Sequence, residues 1–358
     1  MGTAGRRDET STGTDVAPRV RRRPTQADVA RQAGVSVSIV SAVINDRQYG
    51  NIRVSDATRQ RVRKAVQELG YAPNLAARGL AGGTNRLIGV FTFQRIFPLA
   101  KEDFFYEFLV GVEEAAEEEG YNLLLLTAAK DKAGQRSLYP EGTNGMQLAD
   151  GGVLAGWDES ADEIRRLAAE AYPFVFIGRR EIPGVELSYV AADYRSATRE
   201  LTDRILRSGR TVAFVRGSSA PELVPGRQQG FREALGASPT NQRDDATFAT
   251  LPPEPSLLDY AQLVTWASEH SVDCLLVENS RHAVGVDEVA RSRPSGARLQ
   301  VLSLGGAPEE EAAARLGGLV IPRREMGREA VRLLVRLITE PGAGPQRTTL
   351  PVEVHVPA

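Results

Sequence analysis

Between Val29 and Leu69 the apolar positions recur at intervals of three and four. Val29, Ala30 and Ala33 make one short stripe. Val37, Val40, Val43 and Ile44 make a second, and Val62, Ala65, Val66 and Leu69 a third. That period predicts three helices, and the polar residues between the stripes mark their ends. Thr25 with Asp28 three positions on reads as a capping box, Gly34 as a tight turn, and Ser36 and Ser55 as two further helix starts. Two helices joined by a glycine turn and braced by a third are the parts of a helix-turn-helix unit. Tyr71-Ala72-Pro73-Asn74 ends the third helix. Leu75 to Leu80 is expected as one short helix and Gly82-Gly83-Thr84 as a flexible joint.

Past Arg86 the stripes give way to short apolar blocks. Leu87–Phe91, Tyr121–Leu126, Gly152–Leu154, Phe174–Ile177, Val212–Val215, Cys274–Val277 and Leu299–Leu302 read as buried strands. Amphipathic helices are expected between most of them, at Phe105–Glu119, Asp162–Ala171, Ser196–Ser208, Gly226–Leu235 and Tyr260–His270. The chain then closes with a helix at Arg324–Thr339, a loop at Pro341–Pro345 and a strand at Leu350–Val356. Continuous apolar strands alternating with helices predict parallel sheets covered on both faces. About ten strands fit two such sheets better than one.

Composition changes this picture in one place. The chain of 358 residues is 42% hydrophobic and 25% charged, ordinary for a protein with a real core, and its length suggests more than one domain. The formal net charge of −2 hides an asymmetry: residues 19–86 hold 13 Arg or Lys and 4 Asp or Glu, a net of +9. A basic end on an acidic body suggests that the end meets a polyanion, against the plainer reading of a solvated surface. Residues 1–23 have almost no large apolar side chains and read as a disordered tail ending in Arg21-Arg22-Arg23.

The candidate chemistry is thin. No G-x-G-x-x-G follows the first strand, and neither a P-loop nor G-x-S-x-G occurs. The single cysteine, Cys274, lies inside an apolar block and reads as core; its solitude excludes a disulfide framework and fits a reducing cytoplasm. Three scattered histidines suggest no metal site, no cofactor motif is present, and no run of 18 apolar residues suggests a membrane span. The expectation is a protein that is not an enzyme.

The motifs point elsewhere. Thr25-Gln26-Ala27-Asp28-Val29-Ala30-Arg31-Gln32-Ala33-Gly34-Val35-Ser36-Val37-Ser38-Ile39-Val40-Ser41 closely resembles the DNA-binding headpiece of the lactose/galactose repressor family. Val54-Ser55-x-x-Thr58-Arg59, Leu69-Gly70-Tyr71-x-Pro73-Asn74 and Ala77-Arg78-x-Leu80 follow in that family's order. Ile88-Gly89-Val90, Gly111-Val112-Glu113, Asp150–Leu154, Ile177-Gly178-Arg179, Val190-x-x-Asp193, Arg227-x-x-Gly230-Phe231, Ala283-x-Gly285 and Glu325-Met326-Gly327 resemble its core. The resemblance runs from about Thr25 to the C-terminus. It implies an all-α helix-turn-helix headpiece (24–72), a hinge helix and linker (73–86), and an α/β core like the periplasmic binding proteins (87–358). The core would hold two doubly wound parallel-sheet subdomains, about 87–190 with 305–341 and about 191–304 with 346–358.

The resemblance also implies roles. The helix from Ser36 to Asn45 would enter the major groove of an operator, presenting Val37, Ser38, Ser41 and Ala42, while Thr25, Ser36 and Asn45 meet phosphate. Asn74, Ala77, Arg78 and Leu80 belong to a hinge helix in which Leu80 wedges a minor-groove step; ordinary packing is the other reading of Leu80. A small-molecule effector, a sugar or an anionic metabolite, would bind between the subdomains near Phe105, Asp193, Arg227 and Asn279. Asp193 equally reads as a helix cap, and Arg227 as a surface ion pair. The expected whole is a cytoplasmic, homodimeric transcriptional regulator, most naturally a repressor, with a small-molecule binding protein lacking operator function as the alternative.

Four departures from the family pattern shape these expectations. Ala42 stands where many members carry arginine on the reading face. The segment Asp46–Arg53 is about four residues longer than usual, and Gly79 interrupts the hinge helix. In the effector region the usual carboxylate positions read Ser280, Gly305 and Gly306, which leans the expected ligand toward an acidic or phosphorylated one held by Arg227.

Overall fold

The computed structural model describes residues 22–44, 54–72, 84–94, 105–157, 160–217, 224–236, 248–252, 254–292, 299–306, 315–340 and 342–357. The chain divides into two compact units, Met1–Gly83 and Thr84–Ala358.

The first unit contains α1 (Gln26–Ala33), α2 (Val37–Ile44) and α3 (Asp56–Leu69). The capping box forms as its residues require: the Asp28 carboxylate accepts from the Thr25 N–H at 2.9 Å and from its hydroxyl at 2.7 Å, and the Thr25 hydroxyl accepts from the Asp28 N–H. Gly34 and Gly70 end α1 and α3 in the left-handed conformation. Val29, Ala30, Ala33, Val40, Val43, Val62 and Ala65 close a small core on Tyr71.

The second unit carries two six-stranded sheets. The first is built from β1 (Leu87–Thr92), β2 (Asn122–Leu125), β3 (Gly151–Ala155), β4 (Phe174–Ile177), β5 (Tyr189–Ala192) and β11 (Arg347–Leu350), in the order β11-β5-β4-β3-β1-β2, all parallel. The second holds β6 (Val212–Gly217), β7 (Phe248–Leu251), β8 (Cys274–Val277), β9 (Gln300–Ser303), β10 (Gly318–Val320) and β12 (Glu353–His355). Its order is β12-β10-β9-β8-β6-β7, with β12 antiparallel. Helices α4 (Tyr106–Glu118), α5 (Ala161–Ala169) and α10 (Arg323–Thr339) accompany the first sheet. Helices α6 (Tyr194–Arg207), α7 (Val224–Gly236), α8 (Leu257–Glu269) and α9 (Ser280–Ser292) accompany the second. Each sheet is buried on both faces, which is why its central strands are uninterrupted runs of apolar residues.

The chain crosses between sheets three times, and the crossings correct the expected subdomain limits. Strand β10, expected with the first subdomain, pairs with β9 and β12 in the second sheet. Strand β11, expected with the second, pairs with β5 in the first. The single strand expected at Leu350–Val356 is two strands in different sheets, because Pro351 has no N–H to continue the ladder. Tyr121–Leu126, read as a buried strand, is a sheet edge, and Leu125 is exposed.

Within the first subdomain α4 and α10 cross closely. Arg324 and Arg328 both pair with Glu114, and Arg328 and Arg332 pair with Glu118. The Arg324 hydrogen bond leads the effects that lower the Glu114 carboxyl to about 2. A depressed carboxyl lends stability that is complete at neutral pH and lost as pH falls through that range. Acid titration of Glu114→Gln is therefore expected to give a flatter stability profile from the ordinary glutamate range down toward pH 2 than the unaltered chain.

Candidate nucleic-acid interface and ligand cleft

The first unit presents the start of α2. The chain bends by 105° between α1 and α2, the angle of a helix-turn-helix pair. Ser36 and Ser38 are exposed, Val37 is 45% exposed although apolar, and Ser41 is half-buried. The Ser36 hydroxyl accepts from the Ile39 N–H, so it caps the helix while lying at its positive end. Ala42 is a correction: it is buried, since one methyl does not project past the side chains around it, and the readable face narrows to Val37, Ser38 and Ser41. Arg22 and Arg23 before α1, and Arg61, Arg63 and Lys64 on α3, are exposed cations. Thr25 is half-buried, and its hydroxyl proton is given to Asp28. Asn45, Asn74, Ala77, Arg78 and Leu80, with the long loop at 46–53 and Gly79, lie outside the described residues.

In the second unit a site assembles where the strands end. Ligands of open α/β sheets sit beyond the carboxyl ends of the strands. At that edge of the first sheet Trp157 follows β3, and the ring of Phe105 stacks on it at 6.0 Å. Gln94 fixes the Trp157 backbone from both sides, accepting from its N–H at 3.0 Å and donating to its carbonyl at 2.6 Å. At that edge of the second sheet lie Gly217, Glu278 with Asn279, and Gly305 with Gly306.

Arg227 sits in the first turn of α7, which starts at Val224, two residues before the expected start at Gly226. It is 4% exposed, lies 4.1 Å from the centre of the Tyr194 ring, and is in no salt bridge among the described residues. Its Nε has no hydrogen-bond partner there. The surface ion pair considered for Arg227 is therefore not what forms. Nearby, Arg323 at the start of α10 donates to the Gly305 carbonyl; burial lowers its pKa, with Tyr194 and Arg227 among the groups it senses.

The other expected residues divide. Phe105 is buried and supports Trp157 rather than standing open. Asp193 caps α6 by accepting from the Ser196 N–H at 3.0 Å, which is its helix-cap reading. Asn279 likewise spends its Oδ1 on the N–H groups of Arg281 and His282. Cys274 is fully buried, and burial pushes its thiol up to about 12, so it is core.

Glu278 was not among the expected residues. It follows β8 directly, is 4% exposed, and among the described residues receives only the Gly217 N–H, at 3.4 Å. The lean toward an acidic ligand rested on missing carboxylates, and Glu278 supplies one from a neighbouring position. Its signal was available in the sequence: a lone charge ending a four-residue apolar strand, at the edge where such folds bind ligands. Among the described residues no group of three His, Cys, Asp or Glu is placed to hold a metal ion. Among the same residues no single helix is long and apolar enough to cross a membrane.

Comparison with known proteins agrees with this layout. Residues 25–74 match the model of bacterial regulatory proteins of the lacI family. Residues 93–249 match that of periplasmic binding proteins and the sugar binding domain of the LacI family, and residues 202–356 a periplasmic binding protein-like domain. The HTH-type transcriptional regulator CelR of Thermobifida fusca is 30% identical over 349 residues, covering 94% of this chain and 97% of that one. The structure of a transcriptional regulator CelR–cellobiose complex superposes with a TM-score of 0.59 at 26% identity, covering 93% and 99% of the two chains. A lac repressor dimer bound to operator and an anti-inducer gives a TM-score of 0.66 at 20% identity, with 93% and 98% covered, and shows the shared fold.

Proposed function

The chain belongs to the lacI family of bacterial regulatory proteins and is a DNA-binding transcriptional regulator, and from that premise we propose that it represses transcription under the control of a sugar bound in its core. Two copies bind a pseudo-palindromic operator, each placing the start of α2 in the major groove. Val37, Ser38 and Ser41 read base edges, and Thr25 and Ser36 meet phosphate with the exposed cations of the same unit. The hinge roles of Asn74, Ala77, Arg78 and Leu80 are carried in this proposal by the sequence resemblance alone. The chain acts by binding, without catalysis, in the cytoplasm where operator DNA lies.

The observation that carries the effector reading is Arg227: a buried guanidinium over the Tyr194 ring, in no salt bridge among the described residues and with its Nε unserved there. A guanidinium offers donors only, in a fork that suits the adjacent oxygens of a sugar. Trp157 offers a flat apolar surface at the carboxyl edge of the first sheet, as sugar faces require. Cellobiose, the ligand named for the CelR structure, is the first sugar to try, with maltose and sucrose beside it.

Fluorescence anisotropy with the full-length chain tests the reading. A duplex selected from a random pool is expected to bind at least 1,000-fold tighter than random duplex, with affinity falling steeply as salt rises. The bound sugar is expected to change that affinity. Equal affinity for selected and random duplexes across the salt titration would sink operator recognition and leave a ligand-binding protein.

A further inference from the structure

Glu278 and Arg227 are buried groups of opposite charge, close enough that Glu278 senses the guanidinium. Glu278 comes from the end of β8 and Arg227 from α7, and each is 4% exposed. Glu278 Oε1 and Arg227 Nε both lack a hydrogen-bond partner among the described residues. Glu278 senses the Arg227 charge, yet no salt bridge within 4.0 Å joins them. Arg216 of β6 is the second cation that Glu278 senses, and its guanidinium lies 4.5 Å from the Phe248 ring centre. The His282 ring of α9 lies against Gly217, and on the Arg227 side stand Tyr194 of α6 and Arg323 of α10, which also senses Glu107 of α4.

A buried carboxylate with one oxygen unserved is costly unless something arrives to serve it. We propose that Glu278 sets the charge preference of the cleft, accepting a hydroxyl of an uncharged sugar that also hydrogen-bonds Arg227, and turning away sugar phosphates and sugar acids. The proposal rests on reading this edge of the fold as the ligand site.

The donor inventory supports it. An ionised carboxylate only accepts hydrogen bonds and a guanidinium only donates them. Adjacent hydroxyls of a neutral sugar can donate to Glu278 and accept from Arg227 at once. A phosphate or carboxylate brings acceptors only; it serves Arg227 but sets a second negative charge beside Glu278. Burial raises the Glu278 pKa, opposed by Arg227, the Gly217 N–H and Arg216. Protonation therefore begins above the ordinary glutamate range, and a protonated Glu278 loses its preference for neutral ligands.

The test compares the full-length chain with Glu278→Gln, which keeps shape and removes charge. Calorimetry uses two sets of probes: cellobiose, maltose and sucrose, and against them cellobionate, glucose 6-phosphate and glucuronate. Glu278→Gln is expected to weaken the best neutral sugar roughly tenfold and to strengthen the anionic probes by a similar factor. Lowering pH is expected to move the unaltered chain toward the variant's preference while the variant stays level. Without ligand, Glu278→Gln is expected to melt about 2–4 °C higher at neutral pH, a difference that closes as Glu278 protonates. A variant that binds neutral and anionic probes in the same ratio as the unaltered chain overturns the proposal. If no probe of either set binds either protein, the ligand reading beneath it falls as well.

Discussion

Replacing Gly111 or Gly327 by alanine is expected to destabilise the core by about 2 kcal/mol net, although alanine is the better helix former. The two residues mark the crossing of α4 and α10. A Cβ on Gly111 would overlap the Arg324 carbonyl oxygen, and one on Gly327 would overlap the Phe108 carbonyl oxygen. Helix propensity favours alanine by ~1 kcal/mol. Overpacking against backbone, which cannot rotate out of the way, costs ~1–3 kcal/mol and sometimes more, so it decides the sign. Each helix would have to move out, opening the core formed by Phe108, Val112, Val331 and Leu334. Gly230 repeats the device in the second subdomain, where an added Cβ would overlap the Arg195 carbonyl oxygen between α6 and α7. Gly236 closes α7 with open space beside it, and Gly236→Ala is the matched control, expected to be neutral or slightly stabilising. Thermal unfolding measures all of these. A Gly111→Ala protein that melts with the control would show that the helices are free to separate.

These glycines also show what the sequence disclosed. Gly111, Gly230 and Gly327 each sit in a motif that carried the family resemblance, and each marks a helix crossing rather than a ligand contact. The three helices of the first unit were legible because their apolar stripes and caps agree. The central strands were legible because burial on both faces makes them runs of four apolar residues, as at Phe174–Ile177 and Cys274–Val277. Strands β5, β7 and β10 are not legible: Tyr189-Val-Ala-Ala, Phe248-Ala-Thr-Leu and Gly318-Leu-Val are short, contain small or polar residues, and lie toward or at sheet edges. Helix α9 escaped because Gly285 and its mixed charges blur the stripe. The routing of β10, β11 and β12 depends on which sheet each joins, a choice made by long-range pairing that no local pattern records. In the cleft Arg227 was found by resemblance. Glu278 is not legible from the positions where the family keeps carboxylates, because charge complementarity is a property of the space that side chains share and not of their place in the sequence.

Arg227→Ala is expected to weaken sugar binding by more than 100-fold and to remove the sugar's effect on operator affinity. The guanidinium is a buried donor whose charge Glu278 senses, and losing a charge-assisted, two-pronged hydrogen bond costs roughly 3 kcal/mol, which is a factor above 100. The loss has a second consequence. With Arg227 gone, Glu278 keeps Arg216 and the Gly217 N–H but lacks the largest of the influences that oppose its burial, so its pKa should rise further. Arg227→Lys separates charge from shape. A lysine restores the positive charge near Glu278 but not the planar fork or its stacking on Tyr194, so most of the affinity should stay lost. The operator-binding unit is Met1–Gly83, a compact unit separate from the one that holds Arg227. A ligand shifts the DNA-competent state only by its unequal affinity for the two states, so a chain that cannot grip the sugar cannot be shifted by it. Calorimetry with the neutral sugar that best stabilises the unaltered chain, paired with anisotropy on the selected duplex, reads both effects. If Arg227 were only a pillar under Tyr194, the variant would melt lower and bind the sugar nearly as well, and that result would remove Arg227 from the site.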